Sequence, residues 1–473
     1  MNLAKLLMRP LVCDRLRSSM IDKGFRSRSL RGVRWAGVLA GALILAACSA
    51  ARTNTRYLSD TDPNYREIER IQRLAQRGDR GWRTMEEVPY EFWFVQALRA
   101  FGDPGVAAVF ARQAQEIQGR PQPTRFQDPV ISWMLERVSQ RIATAAKLMN
   151  LEPSRRPIFA TLPLTSLQAK SVVLPGTGQP VIFLSHRVFG FAYETAYVIA
   201  ELARFEGPIV HMSPDVTANL ARTSEAAAQS LLRVLLRDAP LEMYRHDASS
   251  EFVSILTQSM EAFIVGHEYA HIVMRDASDV REALDFDSNP ASAYEAIVYS
   301  WQQEVRADCL GAWLVLQDLV LETNRNQSDA ALRIGMLGPE LAIVSMSIEE
   351  QGRALLTTDQ RMKPSHEDVA AMIRLFDDEF LISHGLASAP KIQAEEHIRY
   401  GYPPIEVRLA LFRKCNQANL KILGVSEKAL PDDADIPIAP HGTGLAAAME
   451  ILLERVAPIL RNEGKKRASR ARD

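Results

Sequence analysis

Between Phe263 and Met274 the chain reads FIVGHEYAHIVM. Apolar residues stand on nearly every side of this run, so a helix built from it must be buried. Yet the run carries two imidazoles and a carboxylate, His267, Glu268 and His271. Buried polar groups need partners. On a helix, positions i and i+4 lie one above the other. His267 and His271 therefore share a face and can hold one metal ion. Glu268 sits one residue on, placed to reach a water beside the metal. A pair of core histidines satisfied by ordinary hydrogen bonds is the competing reading. A catalytic zinc takes three protein ligands and keeps one position open, so a third ligand must come from elsewhere in the chain.

The stretch WQQEVRADCLGA, residues 301–312, supplies a candidate. Glu304 and Asp308 are four residues apart and share a face of a second helix. A carboxylate suits zinc beside two imidazoles. A further carboxylate can accept the outer N–H of a ligating histidine and fix its tautomer. Glu304 is therefore assigned to the metal and Asp308 to the histidine behind it. A solvated Glu/Asp pair beside Arg306 is the alternative, and the apolar continuation LGAWLVL speaks against it.

The rest of the chain frames these two helices. Residues 64–150 read as helical, from the spacing of apolar residues in PYEFWFVQALRAFG and PVISWMLERVSQRIATAAKLM. The aromatic group Tyr90, Phe92, Trp93 and Phe94 reads as core. PIFATLPL and AKSVVLPGTGQPVIFLSHRVF are rich in Val, Ile and Phe and read as two strands joined by a short loop, with a turn at Pro175–Gly178. The lone Gly-x-Gly there is a turn, not a phosphate loop. Helices are expected again in AYETAYVIAELARF, from Ser213-Pro214, and over about 249–275, 291–322, 328–350, 365–384, 403–422 and 445–462, with a loop at 431–444. The expected class is mainly α (α+β), with a small sheet or hairpin beside the buried motif.

H-E-x-x-H followed by E-x-x-A-D resembles the gluzincin zinc metallopeptidases. Among them it is most similar to the CAAX-protease and heat-shock-protease type and their soluble periplasmic relatives. The resemblance is carried by His267, Glu268 and His271, by Glu304, Ala307 and Asp308, and by the hairpin LPGTGQPVIFLS. It covers about residues 160–320. It implies a helical metallopeptidase domain with a small sheet at the cleft, whose strand can pair with an extended peptide. It also implies one zinc ion per chain. Ala270 stands where many relatives have glycine, and the 190–250 stretch is longer than the family requires, an insertion fit for a lid or docking surface. A later Tyr402-Pro403-Pro404 with Arg408 is similar to the family's His-Pro-Pro…Arg segment, with tyrosine for histidine. A turn before a helix explains the prolines equally well. Tyr402, Arg408, His366 and His397 are the candidates for stabilising an oxyanion or holding substrate. His186, His211, His246, His384 and His441 read as structural or exposed.

The first fifty residues read as an address. WAGVLAGALILAA, residues 35–47, follows a run of arginines. It is too short for a spanning helix and fits the apolar region of a secretory signal. Leu45-Ala46-Ala47-Cys48-Ser49 resembles the bacterial lipobox, which makes Cys48 the lipidation site. Met20 offers an alternative start. Ser49, rather than aspartate, leans towards the outer membrane. The expected organisation is a lipoprotein signal peptide over 1–47, a tether over 48–65, a helical region over 66–155, the metallopeptidase core over 156–330, and a C-terminal helical region with a basic tail over 331–473.

Charge divides along the same line. Residues 1–47 carry nine Lys/Arg against two acids, and the remainder is net acidic. That excludes a chain-wide nucleic-acid footprint. The basic end, GKKRASRARD, is expected to be solvated and disordered. Four cysteines are too few for a disulfide scaffold. With Cys13 and Cys48 in the address, Cys309 and Cys415 remain, free to pair in an oxidising compartment.

The expectation is thus a lipid-anchored, periplasm-facing zinc metalloendopeptidase acting on peptide or protein substrates, a hydrolase of envelope-protein processing or quality control. It would touch membrane through its anchor and no nucleic acid. The alternative is a lipoprotein binding or assembly factor with a structural metal site. A structural site has no need of Glu268 and more often uses four Cys/His ligands. A cytosolic protein with a mis-assigned start is a third reading, opposed by the lipobox.

Overall fold

Helix α1, Pro63–Gly78, begins where Asp62 precedes a proline. Asp62 Oδ1 accepts from the backbone N–H of Asn64 at 2.7 Å, and Pro63 needs no partner for a missing N–H. The computed structural model describes residues 57–78, 122–127, 129–164, 167–202, 204–206, 209–211, 214–236, 250–274, 290–326, 329–357, 405–422 and 444–470, with isolated positions between 94 and 112. The address with Cys48, the aromatic residues Tyr90, Phe92 and Trp93, the 365–384 run, His366, His397 and Tyr402 lie outside the described residues.

The fold is mostly helical with a small three-stranded sheet. After α2, Pro129–Leu148, come strands β1, Ile158–Leu162, β2, Ala169–Val173, and β3, Pro180–Ser185. The order is β1-β3-β2. β2 and β3 form the expected antiparallel hairpin, Val173 opposite Pro180. β1 adds in parallel to β3, Ile158 opposite Val181. Every residue of β3 is buried because the sheet is covered on both faces. Val181 and Phe183 meet Ile68 of α1, while Ile182 and Leu184 join the main core. The outer edge of β1 is met by Gln127, whose Oε1 accepts from Thr161 N–H at 3.1 Å. β2 forms the other edge of this sheet.

Helix α3, Arg187–Leu202, follows the sheet. A second, two-stranded sheet of β4, Arg204–Glu206, and β5, Ile209–His211, precedes α4, Pro214–Thr223, and α5, Glu225–Leu236. The remaining helices are α6, Ser250–Val273, α7, Pro290–Asn326, α8, Asp329–Thr357, α9, Ile405–Ile422, and α10, Gly444–Arg470. Helix α6 is central. It packs against α2, α3, α7 and α8 and against β2 and β3. Its burial on so many sides is what the apolar wrap of FIVGHEYAHIVM demanded.

One buried cluster runs from Leu135 to Leu460 and draws on α2, β3 and α3 to α10. The helical regions set apart in the sequence thus share a core with the metal-motif helices. The 190–250 stretch contributes Ala196, Ile199, Leu231 and Leu235 to that cluster. Its helices are therefore structural walls of the core.

The basic end is exposed over residues 465–469, as expected, but is helical rather than disordered. It continues α10 as helix to Arg470. Gly464 lets α10 approach the backbone of Leu356 in α8 so closely that no Cβ would fit. Arg467 donates to the carbonyl of Leu236 at 3.2 Å. Glu463 pairs with Lys466 at 3.6 Å and with Arg467 at 3.7 Å, one turn on. A charge run that finds a carbonyl and an in-helix carboxylate stays folded. No described helix is long and apolar enough to cross a membrane.

Candidate metal centre

His267 and His271 lie in the last two turns of α6, and Glu304 and Asp308 lie near the middle of α7. The two helices meet through glycines. A Cβ on Gly311 would come within 2.8 Å of the His267 backbone nitrogen, and one on Gly266 within 3.2 Å of the Gly311 carbonyl oxygen. Gly311 lies seven residues after Glu304 and three after Asp308, on the same face of α7. Its missing side chain lets α7 bring both carboxylates against α6. Gly311 and Gly266 were not singled out in the sequence. A glycine in a helix interior, unfavourable by about 1 kcal/mol relative to alanine, was the available signal.

The donor atoms converge. His267 Nε2 and His271 Nε2 are 3.2 Å apart. Glu304 Oε2 is 3.3 Å from His267 Nε2, and Oε1 is 3.7 Å from His271 Nε2. All three residues offer ligand atoms within 4.8 Å of one another. Ligands at about 2.0–2.1 Å from a tetrahedral zinc stand about 3.3 Å apart along the tetrahedron's edges. The observed separations fit that figure. Three such donors would fill three of the four vertices of a tetrahedral zinc. Cys309, one residue past Asp308, is not part of the donor set.

Behind the donors stands a relay. His267 Nδ1 donates to Asp308 Oδ1 at 2.9 Å, which leaves Nε2 facing His271 and Glu304. Asp308 is buried, with 1% exposure. Arg408 of α9 donates to it twice, from Nε at 2.8 Å and from Nη2 at 2.7 Å. Arg408, a sequence candidate for substrate contact, is thus engaged by Asp308. It is the one member of the Tyr402, Arg408, His366 and His397 group within the described residues.

Electrostatics follow from this layout. Burial would raise the Asp308 pKa, but the Arg408 guanidinium and hydrogen bonds from His267 and Arg408 hold it down at about 2. Glu304 is likewise lowered against its burial, by His267, His271 and Arg408. Burial would lower His267, yet Asp308 and Glu304 hold its pKa up at about 10. The two carboxylates thus favour positive charge on His267, and His267 and Arg408 favour negative charge on them.

Glu268 is buried in α6, at 7% exposure. It is rotated about 100° around the helix from His267 and stands outside the donor set. His186, at the end of β3, has its pKa pushed down to about 3 by burial. That agrees with reading it as structural.

Cys309 and Cys415 form a disulfide, with Cα atoms 5.6 Å apart. It joins α7 to α9, and so joins the helix that carries Glu304 and Asp308 to the helix that carries Arg408. Comparison with family models, with curated proteins and with solved structures finds no match.

Proposed function

We propose that this chain is a zinc-dependent metalloendopeptidase of the bacterial envelope. The observation that carries the reading is the convergence of His267 Nε2, His271 Nε2 and the Glu304 carboxylate at tetrahedral-edge spacing, with Asp308 behind His267. When bound, zinc supplies a Lewis acid that polarises a carbonyl and acidifies water. His267, His271 and Glu304 would hold it. Glu268, left out of the donor set, is the general base. It takes a proton from the attacking water and returns it to the leaving amine. Asp308 fixes the His267 ring with its proton on Nδ1, and Arg408 keeps Asp308 ionised and oriented.

An extended peptide is the substrate this architecture suits. β2 is an edge strand and packs directly against α6, the helix of the motif. A substrate strand added to β2 would gain main-chain hydrogen bonds without any particular side chain. An envelope address rests on the lipobox-like Leu45–Cys48 and is supported by the Cys309–Cys415 disulfide, which belongs to an oxidising compartment.

The test is metal content of the purified full chain, for wild type and for the His267→Ala, His271→Ala double variant. About one zinc per chain, lost in the variant, supports the reading. Zinc absent from the wild type, or kept by the variant, sinks it and leaves the binding-factor alternative.

A further inference from the structure

Two links tie α7 to α9 side by side. One is ionic, from Asp308 to Arg408. The other is covalent, from Cys309 to Cys415. Asp308 and Cys309 are adjacent on α7. Arg408 and Cys415 are seven residues, two turns, apart and so lie on one face of α9. Among the described elements α9 packs chiefly against α7 and α8. It enters from a separate stretch of chain, since 106 residues separate the two cysteines. The bridge therefore limits how far α9 can withdraw from α7. That distance decides whether Arg408 reaches Asp308, and Asp308 in turn orients the His267 ring.

We propose that the Cys309–Cys415 disulfide is a redox-controlled clamp on the metal-binding side chains. Oxidised, it holds Arg408 on Asp308 and so keeps His267 Nε2 aimed at the metal. Reduced, it releases α9, weakens the Arg408–Asp308 pair and lowers metal affinity. The step is a thiol–disulfide exchange with a dithiol. The dithiol's two thiols attack in turn, the Cys309–Cys415 S–S bond breaks, and two electrons and two protons pass to the cysteines. The dithiol leaves as a disulfide. Of the two cysteines Cys309 is the more exposed, half-buried where Cys415 is buried, and is the one a dithiol would meet first. The inference rests on the metal reading above and adds regulation to it. Arg408 is a positioning residue in this scheme, acting through Asp308 and His267.

The test uses the full chain stripped of metal, with zinc affinity read by competition against a chromophoric chelator. The Cys309→Ser, Cys415→Ser double variant stands in for the reduced form, since a free dithiol would itself compete for zinc. It is expected to bind zinc about tenfold more weakly, or worse, with its far-ultraviolet circular dichroism unchanged. Arg408→Gln with the bridge intact should show a loss of similar size. The triple variant should lose no more than Arg408→Gln alone, because both changes cut one relay. A double serine variant with wild-type affinity overturns the clamp. So does a triple variant whose losses add, and so does collapse of the helical signal, which would make the bridge a staple of the whole fold. Wild type that binds no zinc sinks the metal reading itself, and this inference with it.

Discussion

Asp308 takes its hydrogen bond from His267 on one side and two from Arg408 on the other, and it is buried between them. A carboxylate so placed stands outside the His267, His271 and Glu304 donor set, yet it decides which nitrogen of His267 is left free to bind a metal. Asp308→Asn keeps the shape and removes the charge. It is expected to weaken zinc binding about 10- to 100-fold, by the usual weight of such partners. Equilibrium dialysis at fixed pH checks this. Asp308→Asn with wild-type affinity would show that the His267 tautomer needs no carboxylate.

Glu268→Gln separates binding from chemistry. Zinc content should remain near one per chain, while hydrolysis of an unfolded protein substrate falls about 10²- to 10⁴-fold. Metal analysis and a peptide-release assay on the same preparation read both quantities. Full activity in the variant would remove Glu268 from the base role. Glu304→Ala tests the third ligand in the same way. Its zinc content should fall, and unchanged stoichiometry would remove Glu304 from the donors.

Gly311→Ala asks whether the glycine contact sets the site. The added Cβ meets the His267 backbone nitrogen at 2.8 Å. Backbone cannot rotate out of the way as a side chain can. Overpacking of this kind costs roughly 1–3 kcal/mol, and here it also pushes Glu304 and Asp308 away from α6. Denaturant unfolding should show the loss of stability, and zinc affinity should fall with it. A variant that lost stability but kept its affinity would detach the contact from the metal centre.

Stability should also depend on pH through Glu261 of α6. Burial pushes its pKa up to about 8, with Arg141 and Arg137 pulling the other way. Its Oε1 has no hydrogen-bond partner. An unfolded glutamate loses its proton near 4.5, whereas the folded one keeps it to about 8. Between those values the folded state binds more protons, so this group makes stability fall as pH rises. Glu261→Gln removes the titration. Its thermal midpoint should gain on wild type between pH 5 and pH 8, by roughly 2 °C or more. Parallel profiles for the two proteins would show that Glu261 ionises freely in the folded chain.

Much of this was legible in the sequence, and the reason is local. His267 and His271 are one turn apart, and so are Glu304 and Asp308, so periodicity alone assigns each pair to a helix face. The β2–β3 hairpin is local as well, closed by its own turn. What the sequence hid was pairing across distance. Nothing near Ile158 announces that β1 adds to β3 in parallel, with β2 between them in the chain. Nothing near Arg408 announces Asp308, 100 residues away. The folded basic end was hidden for the same reason, since its partners Leu236 and Leu356 lie on other helices. Chain separation erases the pattern, and only packing restores it.

The disulfide also changes what it means to cut this chain. Cys309 and Cys415 stand on either side of α8 and of everything up to α9. One peptide-bond break anywhere between them gives two pieces that remain a single covalent molecule. For a break between α7 and α9, the piece with α6 and α7 stays tethered to the piece with Arg408. Such a nicked chain would migrate as one band without reductant and as two with it. Backbone continuity between α7 and α9 is therefore dispensable for holding the two ends of the relay in one particle.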